Sequence, residues 1–212
     1  MEPTSSPRLL VIAGPCLAES VEVMDEVAGV LAPFLEENHC DFYFKASFDK
    51  ANRTSLLSAR GPGLDQALQW FEQIKSKHRV KMITDIHEPQ HAKIAAEVCD
   101  GLQIPAFLCR QTDLITEAVK TRKFVNIKKG QFLSPQAAGV MMDKAKRTAS
   151  SLGFKANVSI TERGASFGYG DLVVDPRSFY LMARAGLPVV FDVTHSTQQP
   201  PSSTYFARHC IF

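Results

Sequence analysis

Short apolar runs alternate with helical patterns along the chain, and this alternation limits the fold more than any other feature. Six amphipathic stretches separate seven runs that have the length and composition of buried strands. The runs are 9–13, 42–46, 80–84, 102–106, 124–127, 156–161 and 189–193. Strict alternation of this kind predicts the α/β class, with a parallel sheet and right-handed crossovers.

Capping residues place several helix boundaries. A helix is expected from about Ser20, and Pro33 should kink or end it because proline lacks the N–H that a helix interior needs. Pro89 suits the first position of another helix. Ser134-Pro135 has the pattern of an N-cap followed by a first helical residue, and Gly153 is a typical stop.

Polar side chains gather where the predicted strands end. A doubly wound sheet would concentrate its site at one switch point, whereas a barrel draws site residues from many strands at one rim. The spread over seven strand ends therefore favours a TIM (β/α)8 barrel. The residues are Cys16, Lys45, Asp85, Gln103, Lys128, Arg163 and His195.

The predicted barrel is incomplete, because seven strands are recognisable and the eighth is missing. The chain has 212 residues, whereas a full barrel takes about 250. We expect a single barrel domain over 1–212, which is either an incomplete barrel or a sequence with a fragmentary or altered C-terminus.

Composition excludes several classes of protein. A net charge of +2 is too small for a nucleic-acid binder with a broad basic face. The five cysteines are scattered and lack CxxC spacing, which indicates a reducing compartment rather than a disulfide scaffold. No apolar stretch reaches the length of a membrane span. We therefore predict a cytoplasmic protein with neither nucleic-acid nor membrane partners.

The segment after the second strand indicates an anion site. Lys45, Lys50 and Arg53 are mixed there with short hydroxyl and amide donors, a combination that suits a fixed phosphate or carboxylate. The alternative is a polar loop with solvated lysines. Further cations at Lys128 and Arg163, on other strand ends, favour a site for a small, multiply charged substrate.

Lys128 and Lys129 follow one another at the end of the fifth strand. Because neighbouring strand residues face opposite sides, only one lysine should point into a barrel. Lys128 keeps phase with Asn126 and is the one we expect there. The alternative is a salt bridge between the strand and a helix.

Cys16 and His195 end the first and seventh predicted strands. A thiolate and an imidazole suit Zn²⁺, Fe²⁺ or Mn²⁺ only if further ligands join them. Taken alone, each is more often a packed cysteine or a hydrogen-bonded histidine.

Eight motifs occur in order along the chain. They are KASFDKANRTS at 45–55, RGPG at 60–63, TDIHEP at 84–89, QIPAFLCRQTDL at 103–114, NIKKGQF at 126–132, ERG at 162–164, FGY at 167–169 and DVTHS at 192–196. Together they resemble the 3-deoxy-D-manno-octulosonate 8-phosphate synthase family, also called 2-dehydro-3-deoxyphosphooctonate aldolases. The resemblance runs from about Leu9 to Pro200, and the tail 201–212 resembles nothing in the family.

This resemblance implies a TIM barrel that assembles as a homotetramer and acts on small-molecule substrates. It implies a transferase that condenses phosphoenolpyruvate with D-arabinose 5-phosphate. The products would be 3-deoxy-D-manno-octulosonate 8-phosphate, used in lipopolysaccharide biosynthesis, and phosphate.

The resemblance also assigns roles to residues by matching motif. Phosphoenolpyruvate would be held by Lys45, Lys50, Gln103, Lys128 and Arg163. The sugar phosphate would be held by Asn52, Arg53, Thr54 and Ser55, and by Arg110 reaching from a neighbouring subunit. The catalytic set would be His195 near the reacting carbons, Asp85 facing the sugar, and Lys50.

Gly14-Pro15-Cys16 resembles the metal-dependent form of the family, which implies Mn, Fe or Zn held by Cys16, His195, a glutamate and an aspartate. The two acids follow the seventh strand in the family, and their motifs are not found here, so the predicted ligand set is incomplete. Two rivals stay open. One is the sister synthase that uses erythrose 4-phosphate, and the other is an inactive truncated fragment that binds phosphoenolpyruvate or associates with intact subunits.

Overall fold

The computed structural model describes residues 8–197, and the predicted tail 201–212 lies outside them. These residues divide into two compact units. Unit 1 comprises 8–85 and Ile94–Leu102, and unit 2 comprises Ile86–Lys93 and 103–197. Two elements, α3 (Pro89–Val98) and β4 (Gly101–Ile104), contribute residues to both units.

Unit 1 begins with β1 (Leu10–Leu17), α1 (Val21–Glu37) and β2 (Asp41–Ser47), followed by α2 (Leu64–His78) and β3 (Lys81–Asp85). Strands β1, β2 and β3 pair in parallel. The fully buried side chains of Phe44, Phe71 and Met82 form much of its core. Burial of such large apolar groups fixes the strands under their helices.

Unit 2 contains a short 3-10 turn (Ala106–Leu108), α4 (Thr112–Lys120), β5 (Phe124–Lys128), α5 (Pro135–Ser151) and β6 (Val158–Glu162). It continues with β7 (Ala165–Phe167), β8 (Asp171–Val173), α6 (Arg177–Arg184), β9 (Val189–Phe191) and a second 3-10 turn (His195–Thr197). Strands β5, β6 and β9 pair in parallel.

The main sheet has the strand order β1-β2-β3-β4-β5-β6-β9, which is the order along the chain. Parallel strands in chain order with helices between them are the arrangement of a (β/α) barrel. Seven such strands are present in the part of the chain that the structure describes. The predicted fold class, an α/β incomplete TIM barrel with seven recognisable strands, is confirmed.

The predicted N-terminal ends of α1 and α5 are confirmed by side-chain caps. The Ser20 hydroxyl accepts a hydrogen bond from the Val23 amide at 3.3 Å, and Ser134 caps α5 by accepting one from Ala137 at 3.1 Å. Pro33 lies inside α1, which continues to Glu37, so the expectation that it could end this helix is wrong. The buried stripe that includes Met24 and Leu35 holds α1 in place across the proline.

A β-hairpin interrupts the βα alternation after β6 and was not predicted. Strands β7 and β8 are antiparallel and three residues each, with Phe167 opposite Asp171. Gly168 in the turn has φ 62°, a left-handed conformation that glycine adopts without strain. The glycines of the FGYG segment thus serve a turn.

Candidate active site

Unit 1 places Lys45 and Asp85 side by side at neighbouring strand ends. The Lys45 ammonium donates hydrogen bonds to Asp85 Oδ1 at 2.7 Å and to Ser47 Oγ at 2.9 Å. Both charged side chains are 12% exposed. An ion pair removed from water in this way is held in one geometry, because either charge left alone would be costly.

Lys50 is fixed at the same strand ends by three acceptors. Its ammonium donates to Cys16 O at 2.8 Å, to Cys16 Sγ at 3.0 Å and to Ser47 Oγ at 2.8 Å. Burial is the main cause that lowers the pKa of Lys50, and the charge of Lys45 lowers it further, whereas Cys16 and Asp85 act in the opposite direction. Two cations are thereby held close together beside one carboxylate.

The backbone of β1 is irregular at Cys16, the residue that contacts the Lys50 ammonium. Cys16 has φ 71°, which is unusual for a residue with a side chain, and the β1–β2 register shifts between Ala13 and Cys16. A Cβ on Gly14 would lie 2.2 Å from the Lys45 carbonyl oxygen. Only glycine therefore allows β1 to approach β2 at this point.

The predicted sugar-phosphate residues of unit 1 lie on the segment that follows β2. Asn52, Arg53, Thr54 and Ser55 are all exposed there. The segment is anchored at its base, where Lys50 N donates to the Arg60 carbonyl at 2.7 Å. The four polar side chains are thus open to solvent, and their binding of the sugar phosphate stays a prediction.

Unit 2 contains a buried chain of amides and hydroxyls. Gln103 Nε2 donates to Asn126 Oδ1 at 2.8 Å, and Asn126 Nδ2 donates to Ser159 Oγ at 2.8 Å and to Thr161 Oγ1 at 2.7 Å. The parallel register sets Asn126 opposite Ser159. This network fixes the side chain of Gln103 from β4.

Lys128, Asp192 and His195 form the charged centre of unit 2. The Lys128 ammonium donates to Asp192 Oδ2 at 2.7 Å and lies 3.4 Å from His195 Nδ1. His195 Nδ1 lies 2.9 Å from Asp192 Oδ2, and the His195 amide donates to Asp192 Oδ1 at 2.9 Å. Burial alone would raise the pKa of Asp192, but hydrogen bonding to His195 and the charge of Lys128 outweigh it and hold that pKa far below its usual range.

Arg163 joins the same centre from the end of β6. It is 9% exposed, and its Nη2 donates to the His195 carbonyl at 3.2 Å. Burial is the main cause that lowers the pKa of Arg163, and Asp192 partly offsets it. A guanidinium and an ammonium thus flank one carboxylate and one imidazole, a set that can bind a carboxylate or phosphate group.

Lys129 differs from its neighbour in environment. It is 2% exposed and forms an ion pair with Glu162 at 3.3 Å. The two lysines thus have different surroundings, because Lys128 reaches the charged centre and Lys129 is buried. That Lys128 alone points into a barrel stays a prediction. Sequence reasoning missed Asp192 as the partner of Lys128, although it lies within the DVTHS motif.

Arg110 is exposed and follows the 3-10 turn after β4. Its carbonyl accepts a hydrogen bond from Lys144 of α5 at 2.7 Å, which ties its backbone to that helix. The predicted reach of Arg110 into a neighbouring subunit stays a prediction.

Comparison with known proteins identifies the family. The model of the DAHP synthetase I family matches residues 5–209. The chain is 52% identical over 198 residues to 2-dehydro-3-deoxyphosphooctonate aldolase of Helicobacter hepaticus, covering 91% of this chain and 73% of the relative. The chain belongs to the DAHP synthetase I family.

Other members of the DAHP synthetase I family carry the same name. The aldolase of Wolinella succinogenes is 52% identical, covering 91% of this chain and 75% of its own length. That of Campylobacter jejuni is 50% identical, covering 91% and 73%. The resemblance to this enzyme group is confirmed, and the relatives' names favour it over the sister synthase.

The metal site that the resemblance implied for this DAHP synthetase I family member stays a prediction. Between residues 8 and 197, no group of three or more His, Cys, Asp or Glu side chains is arranged to hold a metal ion. The Lys50 ammonium contacts Cys16 Sγ, and its positive charge would repel a metal ion bound to the same sulfur.

None of the helices in the described part of the chain is both long and apolar enough to cross a membrane.

Proposed function

We propose that the chain condenses phosphoenolpyruvate with D-arabinose 5-phosphate and forms 3-deoxy-D-manno-octulosonate 8-phosphate and phosphate. The observation that carries this proposal is the cluster of Lys128, Arg163, Asp192 and His195 at the strand ends of unit 2. This cluster occurs in a chain that is 52% identical to the 2-dehydro-3-deoxyphosphooctonate aldolase of Helicobacter hepaticus.

The reaction needs converging cations around a small donor. C3 of phosphoenolpyruvate forms a bond to the aldehyde carbon of the sugar, and the aldehyde oxygen takes a proton. Water adds its oxygen to C2, and the bond from C2 to the phosphate oxygen breaks to leave a ketone and inorganic phosphate. Fixed positive groups favour this sequence by orienting both substrates and by stabilising the departing phosphate.

Unit 2 supplies donors for the carboxylate and the phosphate. Lys128 and Arg163 would bind these anionic groups, and their separate anchors at Asp192 and at the His195 carbonyl hold them before the substrate arrives. Gln103 would add a neutral donor, positioned by Asn126. Preorganised donors act without reorganising during the reaction.

Unit 1 contains a second set of cations. By the resemblance, Lys45 and Lys50 would also bind phosphoenolpyruvate, and Asp85 would face the sugar while it holds Lys45 in place. The exposed side chains of 52–55 would bind the sugar phosphate. The lowered pKa of Lys50 makes its ammonium a better proton donor than an ordinary lysine.

The proposal extends to the setting of the reaction. We place it in lipopolysaccharide biosynthesis in the cytoplasm, with a homotetramer in which Arg110 contributes to a neighbouring site. The cation implied by the resemblance enters none of the steps above.

Turnover by the purified chain tests the proposal. Phosphoenolpyruvate is incubated with arabinose 5-phosphate or erythrose 4-phosphate, phosphate release is followed, and the product is identified by mass spectrometry. We expect release with arabinose 5-phosphate and its loss in Lys128→Met. Release with erythrose 4-phosphate alone would identify the sister activity, and phosphoenolpyruvate binding without turnover would support the inactive rival.

A further inference from the structure

The ion pair of Lys129 and Glu162 in unit 2 has no role in the proposed chemistry. The two side chains are each 2% exposed, and Lys129 Nζ lies 3.3 Å from Glu162 Oε1. Isolated charges are strongly disfavoured in such surroundings, and replacing a whole buried pair by apolar groups is often neutral or stabilising. Stability alone therefore does not explain why both charges are present.

Each member of the pair makes a second contact with backbone beyond a strand end. Lys129 Nζ donates to the Leu133 carbonyl at 3.2 Å. Glu162 Oε1 accepts a hydrogen bond from the Gly164 amide at 2.7 Å. The pair thus connects the segment after β5 to the segment after β6.

These contacts lie beside the two cations of the charged centre. Lys129 directly follows Lys128, and Glu162 directly precedes Arg163. The ladder continues past both strands, because Lys129 N donates to the Thr161 carbonyl at 2.8 Å and Asp192 N donates to the Glu162 carbonyl at 2.9 Å. A shift of either backbone would move Lys128, Arg163 or Asp192.

We propose that Lys129 and Glu162 are positioning residues that hold Lys128 and Arg163 in register for phosphoenolpyruvate. This inference rests on the proposed function for the identity of the ligand. Alternation along each strand places the pair on the side opposite the functional cations, so it acts through the backbone without touching substrate. A misplacement of about 1 Å can cost roughly a hundredfold in rate, and hydrogen bonds to a bound anion also weaken as their geometry is lost.

Two double variants separate positioning from folding. Lys129→Met/Glu162→Leu removes both charges and both backbone contacts. Lys129→Met/Glu162→Gln also removes both charges but keeps an oxygen that can accept from the Gly164 amide. Met182→Ala, a core truncation in α6, serves as a destabilised control. Binding of phosphoenolpyruvate alone is measured by isothermal titration calorimetry, and Tm is measured for every protein.

We expect the Leu double variant to fold with a Tm near that of the wild type. It should bind phosphoenolpyruvate roughly tenfold or more weakly, because hydrogen bonds from the displaced cations to the ligand are weakened. The Gln double variant should bind with intermediate affinity. Met182→Ala should have a lower Tm than the wild type and an unchanged affinity for phosphoenolpyruvate. The order of affinities, rather than the order of Tm values, is the readout that a purely structural pair would not produce.

Wild-type affinity in the Leu double variant would overturn the inference. If that variant does not fold, wild-type affinity in the Gln double variant overturns it instead. Absence of phosphoenolpyruvate binding by the wild-type chain would overturn both the inference and the binding roles on which it rests. Binding without turnover would overturn the proposed condensation alone.

Discussion

At the scale of single residues, Asp192 is the group on which the charged centre of unit 2 depends. It accepts hydrogen bonds from the Lys128 ammonium and the His195 amide, and its side chain is 10% exposed. Asp192→Asn keeps the shape but removes the charge that holds Lys128. Hydrogen bonds to charged groups are worth about 1.5–3 kcal/mol, so kcat/KM for phosphoenolpyruvate should fall roughly tenfold to a hundredfold.

Steady-state kinetics would measure this loss, with Asp175→Asn as the matched control. Asp175 also pairs with an arginine of unit 2, but that pair is exposed to solvent, so its removal should leave kcat/KM unchanged. Equal values for the wild type and Asp192→Asn would show that Lys128 does not need this partner.

Gly14 sets the close approach of β1 to β2. Because an added Cβ would meet the Lys45 carbonyl at 2.2 Å, Gly14→Ala should force the backbone apart and cost about 1–3 kcal/mol. Urea unfolding measures the change. Gly139→Ala is the matched control, since its Cβ meets nothing within 4 Å and α5 should gain up to about 1 kcal/mol. A neutral Gly14→Ala would contradict the steric argument.

At the scale of elements, the sequence predicted the strands and helices that are marked by a local residue pattern. Apolar runs and caps such as Ser134 located the strands and helices of the barrel. The β7–β8 hairpin was missed because three-residue strands are too short to show alternation. Asp192 was missed as a partner because the β6–β9 register, with Glu162 opposite Phe191, brings it to Lys128 from far along the chain.

Helices α1 and α2 of unit 1 are connected by Asp25. This carboxylate accepts a hydrogen bond from Lys77 at 2.7 Å and lies 2.8 Å from His78 Nε2. Hydrogen bonding to Lys77, then to His78, lowers the pKa of Asp25 below its usual value. A lowered pKa means that the folded state favours the ionised form, so this stabilisation is present above the unfolded pKa of about 3.9 and is lost as pH falls through the folded value.

The Asp25→Asn variant should therefore unfold at a lower temperature than the wild type near pH 7. The difference in Tm should shrink once pH falls below about 4, because the wild-type carboxylate is then also losing its charge. Thermal unfolding at a series of pH values measures this, with Asp65→Asn, an aspartate in the first turn of α2, as the control. A constant difference in Tm from pH 7 down to pH 2 would show that the charge of Asp25 is not what stabilises the fold.

At the scale of the whole molecule, the metal site implied by the family likeness is built on Cys16 and His195 and stays a prediction. Lys50 lies 3.0 Å from Cys16 Sγ, and a lysine ammonium there competes with a metal ion for the sulfur. This contact predicts weak metal binding by the chain.

We therefore expect the purified chain to retain less than one equivalent of Mn²⁺, Fe²⁺ or Zn²⁺ after loading and dialysis, as measured by elemental analysis. Phosphate release should be the same with added Mn²⁺ and with a chelator, since none of the proposed steps uses a metal. Cys16→Ser should leave the metal content unchanged, whereas removing a true thiolate ligand would lower it. Stoichiometric metal that disappears in Cys16→Ser, together with activity abolished by chelation, would show that Cys16 is a ligand after all and that its contact with Lys50 gives way to the ion.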